Sequence, residues 1–275
     1  ICLTRTSFTY GVGGTDKIYT QIEFADDDYS TSLRRAGLKQ ILAKDTFMHH
    51  FGSVTLKDNR KNGESIIAMR EVYYKKWGVD AWDSRGEFEG IEKIVDEKLF
   101  CKNPKILFVE PRFGGNYLKI KNHIKSIGKN IGETTALVID QRYYPDAKYM
   151  YDNIVVEKNI TDFINKEVGK YELITFGTFL NDIVHDEIVE FIEKIYQLLS
   201  INGQLVFAIK NFRNAKILIQ LISNNLRDLN EYDKVEFFGC NFPKFLNTLI
   251  NRKKVGEIEY FQIVGNNKET DIIIN

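Results

Sequence analysis

The chain has 275 residues, 43% of them apolar and 13% aromatic, enough to fill the cores of two ordinary domains and too apolar for a disordered polymer. Thirty-eight basic residues balance thirty-eight acidic ones, so no global field draws the chain onto nucleic acid or an anionic membrane. The expected partners are small molecules or protein surfaces.

Cys2, Cys101 and Cys240 are odd in number and far apart, which argues against a disulfide framework and a Cys-x-x-Cys zinc site. A reducing cytoplasm is the simplest compartment. Apolar runs such as KILFV and GQLVFAI have strand length, far short of the roughly 18–20 residues of a membrane span. No signal-peptide pattern is visible.

In chain order, residues 1–60 read as the end of a mixed α/β unit. Three carboxylates, Asp26, Asp27 and Asp28, open a segment in which Tyr29, Leu33 and Ala36 recur at helical spacing. Acidic residues favour the positive end of a helix, and Gly37 is a natural stop. QILAKDTFMHH reads as a strand that carries His49 and His50 at its end. Residues 61–103 change character: KNGES is a turn, EVYYKKWG is aromatic and basic, and DSRGEFEGIEKIVDEK has the polarity of a docking helix, so this region reads as a connector.

From Lys105 apolar strands alternate with amphipathic helices, the pattern of a parallel sheet with crossover helices. The expected strands are KILFV, TALVID, NIVV, YELITF and GQLVFAI. Helices are expected over 116–127, 186–199 and 213–226, and a hairpin around Gly-Asn-Asn near the end. The domains are then 1–60, a connector 61–103 and 104–275.

The order EFADDDYSTSLRRAGLKQILAKDTFMHHFGSVT at 23–55, with Gly-Gly-x-Asp upstream, resembles the last third of the catalytic domain of bacterial family 2 glycosyltransferases, which have the GT-A fold. The resemblance implies an inverting, nucleotide-sugar-dependent transfer to a surface glycan or glycoprotein. Asp26, flanked by Asp27, would be the base that activates the acceptor hydroxyl, and His50 would sit beside a Mn²⁺ or Mg²⁺ ion at the donor diphosphate. Ala25 stands where such enzymes usually carry a glutamate. The match begins at Ile1 in the middle of that domain, so sugar transfer is not expected from this polypeptide alone. Taken by themselves, three aspartates are also what a solvated helix start looks like, and adjacent histidines on a strand point to opposite faces.

The pattern from 104 onward resembles class I S-adenosylmethionine-dependent methyltransferases, most closely along YELITFGTFLNDIVHDEIVEFIEKIYQLLSINGQLVFAIKN. The fold implied is α/β: a Rossmann-like methyltransferase fold preceded by a partial GT-A segment. The resemblance places the cofactor against Glu110, Gly114 and Gly115 in the loop after the first strand, against Asp140 at the end of the second, where the ribose hydroxyls lie, and against Asn159 at the adenine. Pro111 replaces a usual glycine of that loop, and Thr178 and Asn181-Asp182 replace acidic and Glu-His positions after the fourth strand.

Two functions from different classes follow. One is a transferase, with S-adenosylmethionine as the cofactor of the second domain and a sugar or amino sugar as its methyl acceptor. The other is a non-catalytic Rossmann-like scaffold with a degenerate cofactor site, which Pro111 and the missing acidic residues favour.

Overall fold

A computed structural model describes residues 6–20, 23–43, 45–47, 49, 64–87, 90–158, 160–166, 170–176, 191 and 194–207. The chain divides into two compact units, residues 1–85 and 86–275.

The N-terminal unit is helical among its described residues: α1 (Thr6–Gly11), α2 (Ala25–Arg35) and α3 (Glu64–Trp77). The expected helix after the acidic run is α2, and Gly37 at φ 77° follows its end. Thr6–Gly11 form a short helix. Of QILAKDTFMHH, the described residues form no strand; Ile41, Leu42 and Phe47 are exposed, because no neighbouring strand among the described residues offers a ladder.

The aromatic and basic stretch 71–78, expected in a connector, lies on α3 and builds the core of this unit. Met69, Tyr73 and Trp77 recur every four residues, so they share one face. Met69 and Tyr73 are buried there with Tyr19, Phe24 and Ala81, while Trp77 packs at the edge. Phe24 stacks on Trp82 at 4.9 Å.

Asp28 ties α2 to α3 in this core. It is fully buried, and its carboxylate accepts from the Tyr19 hydroxyl at 3.1 Å and the Trp77 indole N–H at 2.7 Å. Lys76 donates to it at 3.0 Å and also to Asp16 at 2.8 Å. A buried carboxylate is costly unless it is paired and hydrogen-bonded, and this one is both. Burial and the neighbouring carboxylate of Asp28 push the Tyr19 hydroxyl well above its ordinary range.

The C-terminal unit holds a five-stranded sheet: β1 (Lys105–Val109), β2 (Glu133–Val138), β3 (Asn153–Val156), β4 (Tyr171–Phe176) and β5 (Leu199–Phe207). All neighbours run parallel, in the order β3-β2-β1-β4-β5. These are the five expected strands. Crossovers run through α5 (Gly115–Ser126), the short α6 (Tyr144–Ala147) and α7 (Ile160–Lys166). Ile106, Leu107, Phe108 and Val109 are all buried, as a strand covered on both faces requires. Each such side chain contributes about 1.5–3 kcal/mol.

The expected helix over 83–98 is reduced to α4 (Ile91–Ile94) and a 3₁₀ turn at Glu97–Cys101. Gly86 and Gly90, at φ 64° and 88°, interrupt it. Asn202-Gly203 lies inside β5, at a bulge. Tyr171 pairs with Leu199 but Leu173 with Gln204, and Asn202 sits at φ 65° within the insertion. Buried Gln204 then accepts from the Asp96 N–H at 2.9 Å and donates to the Ile94 carbonyl at 3.0 Å. Of the expected helix over 186–199, residues 191 and 194–196 are helical, 197–198 form a turn, Leu199 already opens β5, and the rest lies outside the described residues; the helix over 213–226 and the terminal hairpin lie outside them entirely. No helix among the described residues is long and apolar enough to cross a membrane.

Asp28→Ala should destabilise the N-terminal unit by about 2–3 kcal/mol, because the Tyr19 hydroxyl and the Trp77 N–H lose their acceptor while Lys76 keeps Asp16. Denaturant unfolding followed by tryptophan fluorescence measures it, and a loss below about 1 kcal/mol would mean that the carboxylate is solvated.

Candidate functional site

Strand order decides where to look. From β1 the chain steps to β2 and β3 on one side, then returns to β4 on the other, so the order reverses between β1 and β4. The crevice beyond the carboxyl ends of the strands at such a reversal is where open α/β sheets bind ligands.

The loop that leaves β1 here is Glu110-Pro111-Arg112-Phe113-Gly114. Glu110, Arg112 and Gly114 all have positive φ, at 43°, 51° and 78°. For the two non-glycines this is left-handed backbone, costing of order 1–3 kcal/mol each, and such strain clusters at functional sites. The loop is held from below. A side chain at Gly114 would meet the Met150 sulfur at 2.2 Å, and one at Gly86 would meet the Pro111 carbonyl oxygen at 2.1 Å. The Asn116 N–H donates to the Gly86 carbonyl at 3.1 Å. Phe113 meets the Tyr143 ring edge-on at 6.0 Å, and the Arg112 guanidinium lies over the same ring.

Glu110 joins the ends of two strands. Its N–H continues the ladder to the Leu137 carbonyl at 2.8 Å. Its carboxylate Oε2 accepts from the N–H groups of Ile139 at 2.7 Å and Asp140 at 3.1 Å. The residue is 3% exposed, and burial raises its carboxyl above the usual range; the two backbone N–H groups and Arg112 pull the other way. Oε1 is buried without a hydrogen-bond partner among the described residues. The Thr175 hydroxyl, near the carboxyl end of β4, is buried and unpartnered in the same sense.

Asp140 follows β2. Its carboxylate accepts from the Arg142 N–H at 3.0 Å, which caps a 3₁₀ turn over Gln141–Tyr143, and from the Arg142 guanidinium. Hydrogen bonding to Arg142 holds Asp140 below the usual carboxylate range.

Of the residues expected to hold a cofactor, Glu110, Gly114 and Asp140 come together here. Gly115 is the first residue of α5, with no positive φ. Asn159 lies outside the described residues, as do Thr178 and Asn181-Asp182. In the N-terminal unit Asp26 is exposed, and Asp27 is half-buried with its carboxyl raised, first by burial and then by Asp26. His50 lies outside the described residues, among which no group of three or more metal-ligating side chains is found. Sequence reasoning missed Arg112, Arg142 and Thr175. Arg112 stands at the centre of the loop in a conformation that glycine would adopt freely, and nothing in its sequence neighbourhood marks it.

The C-terminal unit is a doubly wound parallel α/β fold. No protein-family model and no curated protein matches the chain. Among solved structures, the plantazolicin methyltransferase BpumL in complex with SAH is 14% identical over 72% of this chain and 74% of its own, at a TM-score of 0.44. The N-methyltransferase NodS from Bradyrhizobium japonicum WM9, in complex with S-adenosyl-L-homocysteine, is 15% identical over 50% of this chain and 71% of its own, at 0.37. A ribosomal protein L11 methylase from Lactobacillus delbrueckii subsp. bulgaricus is 16% identical over 67% and 76%, at 0.40. At these values the likeness carries no weight of its own; the fold rests on the strand order and pairing described above.

A raised carboxyl in the folded state means that the folded chain binds more protons than the unfolded one once pH exceeds the ordinary glutamate value. Glu110 therefore contributes most to stability below that value and loses the contribution as pH rises through its raised folded value. Glu110→Gln keeps an acceptor for the two N–H groups and removes the charge. It should flatten the fall of stability on going from pH 4 to pH 7, measured by urea midpoints; an unchanged slope would mean that Glu110 is well solvated.

Proposed function

We propose that the C-terminal unit binds S-adenosylmethionine and transfers its methyl group to an oxygen or nitrogen of a sugar or amino sugar. The observation that carries this reading is the pairing of Glu110 with the end of β2 at the reversal of strand order. It sets a strained backbone loop beside the carboxylate of Asp140. The residues present fit the cofactor. Asp140 would take the ribose hydroxyls, since a carboxylate accepts two hydrogen bonds at once. The loop 110–114 would lie along the methionine portion, and the unpartnered Oε1 of Glu110 is an acceptor suited to an ammonium group or to a water bound to it. When bound, the cofactor supplies an electrophilic methyl group. The chain's own part is to orient it and to keep the acceptor in line, because positioning accounts for much of the rate of a two-reactant transfer.

A second reading concerns the N-terminal unit. Asp26 and Asp27 open α2, and the raised Asp27 carboxyl moves in the direction that suits a proton acceptor near neutral pH. These carboxylates would serve an inverting sugar transfer from a nucleotide sugar, with His50 on the metal side of the donor.

Calorimetric titration with S-adenosylhomocysteine tests the first reading. Wild type should bind, and Asp140→Ala should bind at least about tenfold more weakly, about 1.5 kcal/mol for a hydrogen bond to a charged group. No heat at millimolar ligand would leave a scaffold. For the second, Asp26→Asn should lower sugar transfer by about 10²–10⁴ in a chain that also carries a nucleotide-sugar-binding half. Equal rates in variant and parent, zero included, would overturn that reading.

A further inference from the structure

The carboxylate that a ribose would need is engaged on both oxygens. Arg142 Nε lies 3.0 Å from Asp140 Oδ1 and 2.9 Å from Oδ2, and Nη2 lies 2.5 Å from Oδ2. A guanidinium is a rigid fork of donors matched to the two oxygens of a carboxylate, and a vicinal diol presents its two hydroxyls to the same pair. Both draw on the same two oxygens, so they compete for the carboxylate. A different bond holds Asp140 in place, since the backbone N–H of Arg142 donates to Oδ1 at 3.0 Å and closes the 3₁₀ turn. The fork can therefore leave without the carboxylate losing its orientation.

We infer that Arg142 is a competitor that tunes affinity at this site: its guanidinium holds the ribose-binding face of Asp140, and a ribosyl ligand enters by displacing it. The inference rests on the reading of Asp140 as the ribose residue. Arg142 thereby weakens the binding of any ligand that needs this carboxylate, and a ligand that does not use it meets no such cost. Displacement costs little, because the Arg142 side chain is 53% exposed and that of Asp140 32%. Ion pairs of such exposure correspond to about twofold to fivefold in an equilibrium constant.

The experiment is a double-mutant cycle, with S-adenosylhomocysteine titrated calorimetrically into wild type, Arg142→Ala, Asp140→Asn and the double variant. Far-UV circular dichroism checks that each is folded. Arg142→Ala should bind about twofold to fivefold more tightly than wild type at low salt, and the gain should shrink at high salt, where the pair is screened. The gain should vanish when Asp140 is Asn, an outcome that a merely structural arginine would not produce. If wild type binds and Asp140→Asn weakens it, while Arg142→Ala binds equally or less tightly, the competitor is overturned and the cofactor reading stands. If no folded variant binds, the cofactor reading fails and takes the competitor with it.

Discussion

Two parallel strands that end side by side leave a difficulty at their carboxyl ends: the N–H groups just beyond the last ladder bond must find acceptors although the backbone is turning away. Here Glu110 resolves it. Its side chain turns back from the end of β1 and accepts the N–H groups of Ile139 and Asp140 beyond the end of β2. The position of Asp140 and the left-handed course of the loop after Glu110 both depend on this bridge. Its cost is a buried carboxylate with one unpartnered oxygen among the described residues, and such groups persist where a ligand or water completes them.

The N-terminal unit turns on a carboxylate used differently. Asp28 has Tyr19, Lys76 and Trp77 around it, so its lone pairs are satisfied by protein and it serves to join α2 to α3. Asp26 and Asp27, two positions and one position earlier, face other surroundings because successive residues of a helix point about 100° apart. Three chemically identical neighbours thus divide into an exposed, a half-buried and a fully buried group. That division marks Asp28 as the structural carboxylate of the three.

Much of the fold could be read from the chain. KILFV, TALVID, NIVV, YELITF and GQLVFAI are continuous apolar runs, which a strand buried on both faces demands, and each lies in or overlaps a strand of the sheet. The acidic run before Tyr29 and Leu33 marked α2 because both the helix dipole and the apolar period are local properties. Where reading failed, the deciding partner was remote. Met69, Tyr73 and Trp77 have helical spacing, yet their aromatic and basic stretch reads as a connector until Tyr19 and Phe24 are seen packed against it. Ile41, Leu42 and Phe47 have the composition of a strand and the surroundings of none.

The sequence by itself determined the α/β class, the parallel strands, and the two carboxylates that end β1 and β2, because burial on both faces and local turn chemistry are written into short segments. Only the tertiary structure decided what those carboxylates do. That Glu110 serves β2, and that Arg142 covers Asp140, depends on atoms brought within about 3 Å by the pairing of strands and by a one-turn cap. Contacts of that kind carry no periodicity, so no pattern along the chain could have announced them.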